Sequence, residues 1–310
     1  MPIVYWGSGP KQGPKALFVY NPIAGASRNY PREWDWLTDR LRNAGYELGE
    51  YLTERPGDAT KAATLALADG CRLVIVAGGD GTINEALQAV AGTEITLGII
   101  PAGSTNVLAA ELAIPTDFEQ ALEVILAGNE RRMDLGKCNG RYFSMMTGIG
   151  FDAQMTKDLI PEIKKRIGNV AFVDAWIRAF FTHRARRMVI TLDKGLPTQR
   201  KLRRLAFMLV ASNTSLYGGT VLKINELADI SDGLLDVCIL RSRRWYDVIR
   251  HFLGTVTGTH RQFDDIEFCQ ARKLTIKASS PVPYQLDGDH AGKTPVSIEI
   301  APGALKVFVP

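Results

Sequence analysis

The sequence predicts an α/β N-terminal domain built on a parallel sheet, followed by a β-rich antiparallel sandwich domain. Three observations carry this. Apolar strand-length runs alternate with helix-period segments up to about residue 130. Two of those runs, starting at Leu73 and Leu97, end in glycine turns that open onto helices. From Met133 onward, strand-like runs separated by Gly, Asn and Asp turns replace the alternation. A chain of 310 residues has room for two such domains.

Taken in order, residues 1–14 hold glycines and prolines among few periodic residues and read as a flexible extension. The α/β domain spans 15–132. Its first strand, 16–20, runs into the loop Asn21-Pro22-Ile23-Ala24-Gly25. A helix over 34–43 closes at Gly45, a strand covers 46–52, and Asp58 caps a helix to about Ala68. The β-branched run from Leu73 has no polar face, as a buried parallel strand requires. It ends in Gly78-Gly79-Asp80-Gly81-Thr82, and helical spacing resumes over 83–90 with Asn84 and Glu85. The plan repeats at Leu97-Gly98-Ile99-Ile100 followed by Pro101-Ala102-Gly103-Ser104-Thr105-Asn106, and a helix over 118–127 closes the domain. In the β-rich domain, 133–300, strand-like runs cover 142–146, 187–192, 205–211, 235–240, 274–278 and 296–300, with a last run at 305–309. A helical pair, 153–167 and 170–182, interrupts them.

A glycine turn feeding a helix gathers free N–H groups and a positive dipole end, which suits phosphate. Adjacent parallel strands would bring both turns to one carboxyl edge of the sheet, where open α/β folds bind ligands. Asp80 lies inside this cradle, where a carboxylate repels phosphate unless it holds a metal or handles a proton. That combination points to phosphoryl transfer from a nucleotide. The competing reading is a tight strand–helix turn with Asp80 solvated, in which Thr82 at the N-cap and Glu85 at N3 form a capping box.

Composition narrows the classes. A net charge of +4 is too mild to imply nucleic acid. The surplus is local: from Lys157 to Arg187 there are eight cations and three acids, so the remainder of the chain is close to neutral. That stretch also carries Trp176, Phe180 and Phe181 at helical spacing, which suits an anionic membrane interface; packing of the aromatics with solvated cations is the alternative. Four cysteines (Cys71, Cys138, Cys238, Cys269) have no paired or zinc-ligand spacing and read as buried thiols of a reduced, cytoplasmic protein. His183, His251, His260 and His290 are scattered without ligand spacing. No apolar run spans a bilayer, and no signal-peptide pattern is present. No Walker P-loop, protein-kinase signature or dinucleotide fingerprint occurs.

These residues together resemble the diacylglycerol kinase catalytic domain family, which includes bacterial soluble lipid kinases and sphingosine kinases. The resemblance covers about residues 15–310. It rests on Asn21-Pro22 with Gly25, Gly78-Gly79-Asp80-Gly81-Thr82 with Asn84-Glu85, Pro101 to Asn106, Asp134-Leu135-Gly136, Gly148-x-Gly150-Phe151-Asp152-Ala153, Gly218-Gly219, Ser231 to Asp236, and Leu286-Asp287-Gly288. It implies a two-domain fold with the nucleotide in the interdomain cleft and a strand at 301–310 returning to the first domain. It implies an ATP-dependent, magnesium-dependent lipid kinase of phospholipid metabolism that phosphorylates a diacylglycerol- or sphingosine-like hydroxyl. Asn21, Thr53, Gly78, Gly79, Asp80, Gly81, Thr82, Asn84, Glu85, Gly103 and Ser104 would contact the nucleotide. Asp80 would position its Mg²⁺ or activate the hydroxyl. A second Mg²⁺ would be held by Asp229, Asp232 and the carbonyl of Leu234, an oxygen-only set suited to a hard cation; Asp232-Gly233 as a plain hairpin turn is the alternative.

Two departures qualify the resemblance. Val107 stands where many bacterial members carry Asp, giving the Gly-Ser-x-Asn-apolar pattern of sphingosine kinases. Asp289 replaces the Glu proposed as the bacterial general base and is one methylene shorter, so Asp80 and Asp289 are both candidate catalytic carboxylates. The partners expected are a lipid at a membrane surface, met peripherally through the stretch from Lys157 to Arg187, and no nucleic acid; a homodimer is a possible assembly. A non-catalytic lipid- or nucleotide-binding regulator and an NAD kinase, which shares Gly-Gly-Asp-Gly, are the alternative functions.

Overall fold

The computed structural model describes residues 5–6, 13–22, 24, 31–158, 178–179, 182–217, 219, 223–241 and 245–310. The chain divides into two units, residues 1–135 with 302–310, and residues 136–301.

In the first unit, β1 (Tyr5–Trp6), β2 (Lys15–Tyr20), α1 (Pro31–Asn43), β3 (Glu47–Leu52), α2 (Asp58–Ala68), β4 (Leu73–Gly78), α3 (Asp80–Val90), β5 (Thr96–Pro101), α4 (Val107–Glu111), α5 (Phe118–Ala127) and β6 (Glu130–Cys138) follow in order. The sheet runs β1-β3-β2-β4-β5, with β2 to β5 parallel and β1 antiparallel to β3. Tyr5–Trp6 thus form a strand within the stretch expected to be an extension. Every residue of β4 and β5 is buried, which is why both read as unbroken apolar runs. α2 packs on α3, and α1 and α5 meet each other; right-handed crossovers put these pairs on opposite faces. Phe18, Trp34 and Phe118 interlock beneath α1 and α5, with ring centroids 5.5 Å and 5.4 Å apart. Because β2 connects to β3 on one side and the chain then crosses to β4 on the other, the strand order reverses beside the ends of β2 and β4, the place open α/β sheets use for ligands.

Two local readings are corrected. The N-cap of α2 is Gly57, not Asp58. The buried Asp58 carboxylate instead turns back to accept from the amides of Glu54 and Arg55, both at 3.1 Å, and pairs with Lys61. The capping box is not formed: α3 starts at Asp80 behind Gly79, and Glu85 accepts from the Ala59 amide at the start of α2.

The second unit contains β7 (Arg141–Phe143), β8 (Met146–Gly150), α6 (Phe151–Asp158), β9 (Arg186–Leu192), β10 (Arg200–Ala206), β11 (Met208–Ser212), β12 (Leu235–Leu240), α7 (Trp245–Val256), β13 (Ile266–Ala271), β14 (Lys273–Ala278), β15 (Pro283–Leu286), β16 (Asp289–Lys293) and most of β17 (Val296–Phe308). A six-stranded antiparallel sheet has the order β13-β12-β11-β8-β15-β16. β10, β9, β14 and residues 296–299 of β17 form a second antiparallel ladder. Ile149, Leu209, Val237 and Ile239 from the first share one buried core with Ile190, Leu192, Leu274, Ile276 and Ile298 from the second, the expected sandwich. The end of β17 belongs to the first unit, where Lys306–Val307 lie parallel to Thr96–Leu97.

Several runs were misdivided. The run 142–146 is two strands, and 205–211 breaks at Phe207 into β10 and β11. The runs 296–300 and 305–309 are one strand, bent at Gly303 (φ +58°), whose amide is held by the buried Asp134 at 2.7 Å. α7 was not anticipated, because its exposed side carries the apolar Tyr246, Ile249, Leu253 and Val256 and so shows no polar face. Of the helical pair, α6 is seen; residues 159–177, 180 and 181, with Lys164, Lys165, Arg166 and the three aromatics, lie outside the described residues, as do Gly25 and Gly218. Among the described residues no helix is long and apolar enough to cross a membrane. The four cysteines are free, and burial pushes the Cys71 and Cys138 thiols up to about 11 and about 12.

Gly136 faces the Phe143 ring, where a Cβ would lie 1.9 Å from Cζ. Gly136→Ala is therefore expected to destabilise by about 1–3 kcal/mol in urea unfolding, and Phe143→Leu added to it should recover part of the loss. Burial pushes the Asp58 carboxyl up, but the Glu54 amide, Lys61 and the Arg55 amide outweigh this and hold it below the ordinary range. Its contribution is complete above the unfolded value of about 3.9 and lost as pH falls through the folded one. Asp58→Asn should cost about 1–3 kcal/mol at neutral pH, and the difference from wild type should vanish in acid; a gap that persists at low pH would contradict this.

Candidate functional site

At the carboxyl ends of β2 to β5 the first unit gathers most of the residues that the sequence singled out. Asn21 follows β2, Thr53 follows β3, Gly78 and Gly79 end β4, and Gly103 follows β5. The Asn21 amide donates to Ala77 O at 3.0 Å and the Thr53 amide to Tyr20 O at 3.0 Å, so each loop leaves its strand still tied to the neighbouring one. The Asn21 side chain donates to Thr82 Oγ1 at 3.2 Å. Thr82 also covers Gly78, where a Cβ would come within 2.7 Å of it.

The two glycine loops touch back to back. A Cβ on Gly103 would sit 2.5 Å from Gly79 Cα and 2.8 Å from Asn106 Oδ1. Asn106, in the left-handed region at φ +47°, clamps Gly103 from both sides: its Oδ1 accepts from the Gly103 amide at 2.8 Å and its Nδ2 donates to the Gly103 carbonyl at 3.0 Å. Only backbone fits at this contact, and a ligand can approach bare main chain there.

Asp80 is the first residue of α3, and its carboxylate spans to the second loop. Oδ2 accepts from Thr105 Oγ1 and the Val107 amide, both at 3.1 Å, and Oδ1 accepts from the Leu108 amide at 3.2 Å. It therefore caps α4 from another element. Val107, the apolar departure, serves through its amide while its side chain is buried. Gly81 and Ser104 are exposed, Thr82 half-buried, and Asn84 buried inside α3 with Gln88 donating to it. Glu85 is committed to α2. Sequence reasoning missed Asn106 as a structural clamp; its signal was an asparagine directly after a Gly-Ser-Thr turn, the residue most at ease at positive φ.

The remaining candidates lie in the second unit. Asp229 Oδ1 accepts from the amide and hydroxyl of Ser231, and Asp232 Oδ1 accepts from the Leu234 amide at 2.9 Å, so the proposed metal ligands share one exposed loop. Burial and then the nearby Asp232 charge raise the Asp236 carboxyl above the ordinary range, so the loop is electronegative. Among the described residues no three His, Cys, Asp or Glu side chains are grouped to hold a metal by themselves; a cation there would need carbonyl or water oxygens as well.

Asp287-Gly288 forms the two-residue turn between β15 and β16, both residues at positive φ (+46° and +90°), as a type I′ hairpin demands. The Asp287 carboxylate accepts from the amides of Ser144, Met145 and Met146 at 2.8–2.9 Å and from the Ser144 hydroxyl. Gln285 Oε1 holds the Gly288 amide at 2.7 Å, and Gln285 Nε2 donates to the buried Asp152, which also accepts from Tyr217. Burial pushes both Asp152 and Tyr217 up. Asp289, the next residue, pairs with Leu286 across the hairpin and is exposed, and among the described residues its carboxylate has no hydrogen-bond partner.

Residues 15–138 match the family described as diacylglycerol kinase catalytic domain, and residues 145–309 match the YegS C-terminal NAD kinase beta sandwich-like domain. The diacylglycerol kinase of Bacillus subtilis is 30% identical over 284 residues, 91% of either chain. That of Staphylococcus saprophyticus is 28% identical over 298 residues, 96% of this chain and 95% of its own. A crystal structure of a diacylglycerol kinase from Bacillus anthracis superposes with a TM-score of 0.74 at 26% identity, covering 97% of this chain and 98% of that one. At that identity and over nearly the whole length, this chain belongs to the diacylglycerol kinase catalytic domain family, a family of lipid kinases.

Proposed function

We propose that the chain transfers the γ-phosphate of ATP to the hydroxyl of a diacylglycerol- or sphingosine-like lipid. Relatives named diacylglycerol kinase support the acceptor class. The observation that carries the donor is the contact of Gly79 with Gly103, which lines two loops with bare main chain beside the start of α3. Phosphoryl transfer asks the protein for alignment and charge neutralisation more than for covalent chemistry. Asn21, Thr53 and Ser104 would hold the nucleoside end, and the loop from Gly78 to Asn84 the phosphates. The oxygen donors at Asp80 and in the loop of Asp229, Asp232 and Leu234 suit Mg²⁺; bound at the first it would neutralise phosphate charge, and at the second it would stiffen a turn.

The two candidate carboxylates divide the work. Asp80 already accepts three donors, which suits its use as an anchor of the cradle. Asp289, exposed and with a carboxylate that no described residue engages, is the acceptor of the hydroxyl proton. The lipid would be met at a membrane surface, with the stretch from Lys157 to Arg187 as one contact.

Asp80→Asn should abolish lipid phosphorylation in a labelled-ATP assay. Asn has one acceptor where three donors converge, so it should also cost about 1–3 kcal/mol of stability. Turnover within a few-fold of wild type would remove Asp80 from the mechanism, and NAD run beside the lipids separates an NAD kinase. Asp289→Asn should lower kcat by about 10²–10⁴ with KM for ATP unchanged; an unaltered kcat would leave the base role elsewhere.

A further inference from the structure

We propose that Gln285 is a positioning residue for phosphoryl transfer: it fixes the backbone that carries Asp289, and the buried Asp152, with Tyr217 beyond it, fixes Gln285. The inference deepens the lipid-kinase reading and rests on it. The hydrogen bond that closes a two-residue turn joins the flanking residues and leaves both central amides unused. Here both are taken. The Asp287 amide donates to Met146 O at 3.0 Å and the Gly288 amide to Gln285 Oε1 at 2.7 Å. The Asp287 carboxylate binds the amides of Ser144, Met145 and Met146 as well. Asp287-Gly288 already has the conformation a type I′ hairpin demands, so this fixing exceeds what the hairpin needs to form. The residue that the turn delivers is Asp289, opposite Leu286. No described residue engages its carboxylate, so its placement depends on the backbone.

Tyr284 and Leu286 belong to the sandwich core, so Gln285, between them, faces the other side of the sheet, where α6 packs on β15. It is fully buried there. Its amide fits only one way round. A backbone N–H can only donate, so oxygen must face Gly288, and Nε2 is left to donate to Asp152 Oδ2 at 2.7 Å. Asp152 Oδ1 accepts from the Tyr217 hydroxyl at 2.8 Å, so the carboxylate cannot turn without losing a partner. Gly148, which pairs with Gln285 from β8, makes the room: a Cβ there would lie 1.8 Å from Asp152 Oδ2 and 2.9 Å from Gln285 Nε2. A carboxylate buried against two neutral donors is a costly way to fill space. An apolar side chain at that position would avoid the cost but leave the Gln285 amide free to turn about its last, soft torsion. The chain from Tyr217 to Gly288 therefore serves geometry.

The test is steady-state kinetics with ATP and a short-chain diacylglycerol in detergent, for each variant alone and combined with Asp289→Asn. Gln285→Met should lower kcat about 10–100-fold with KM for ATP unchanged. Added to Asp289→Asn it should lower kcat no further, because losses that act through one group do not multiply. Asp152→Ala should lower kcat in the same way. Asp152→Asn should recover most of that loss, since its Oδ1 can accept from Gln285 while its Nδ2 donates to the Tyr217 oxygen. Should Gln285→Met fail to fold, Tyr217→Phe removes only the far hydroxyl, with a smaller loss that also vanishes beside Asp289→Asn. Losses that multiply in the double variant, or a Gln285→Met enzyme with unaltered kcat, overturn the proposal and leave the kinase reading standing. An Asp289→Asn enzyme with unaltered kcat overturns the base assignment and the proposal together, and a wild type that phosphorylates no lipid sinks the kinase reading and the proposal with it.

Discussion

Two loops from neighbouring strands can share one edge of a sheet only if their backbones are allowed to touch. Gly79 and Gly103 allow it, with room for no side-chain carbon between them. Once they meet, the surrounding contacts follow. Asp80 becomes close enough to cap α4, Asn106 can clamp Gly103, and Thr82 lies over Gly78 with Asn21 bound to it. Asn21, Asp80, Thr82 and Asn106 are each committed to a neighbour. The amides are fixed before any ligand arrives, the condition under which oriented dipoles stabilise developing charge most effectively.

Several aspartates, in the sequence motifs and outside them, behave consistently once their partners are known. Asp134 holds Gly303, Asp287 holds the turn from Ser144 to Met146, Asp193 holds the amides of Arg272 and Lys273, and Asp58 holds those of Glu54 and Arg55. Ionised carboxylates offer several strong acceptor sites to donor-only amides, so a turn whose N–H groups point inward recruits one. Asp80 does the same for α4 at the carboxyl edge of the parallel sheet. Asp289 is the exception, an exposed carboxylate that no described residue engages.

What could be read from the sequence follows from range. β4 and β5 were legible because a strand buried on both faces must be apolar throughout, and the glycine turns because positive φ and close approach exclude other residues. The aspartate anchors were not legible as anchors: Asp287 and Ser144 are 143 residues apart. The break at Phe207 was hidden for the same reason, since its amide is taken by Leu240. α7 was missed because its outward side does not look like a surface. The exchange of Thr82 and Glu85 from a capping box to separate tasks shows a local motif yielding to tertiary partners, with Glu85 drawn to the start of α2 and Thr82 to Asn21.

The pairing of Lys306 with Thr96 also dictates when the first unit can be finished. β5 is made early, yet the strand that covers its outer edge follows about 200 residues later in the chain. At synthesis rates of about 5–20 residues per second, that edge waits on the order of 10–40 s for its neighbour. An apolar parallel strand with unpaired amides is an invitation to foreign strands throughout that interval. The nascent chain is therefore most vulnerable to misassembly not while its glycine loops are forming but afterwards, during the long translation of the sandwich that precedes closure.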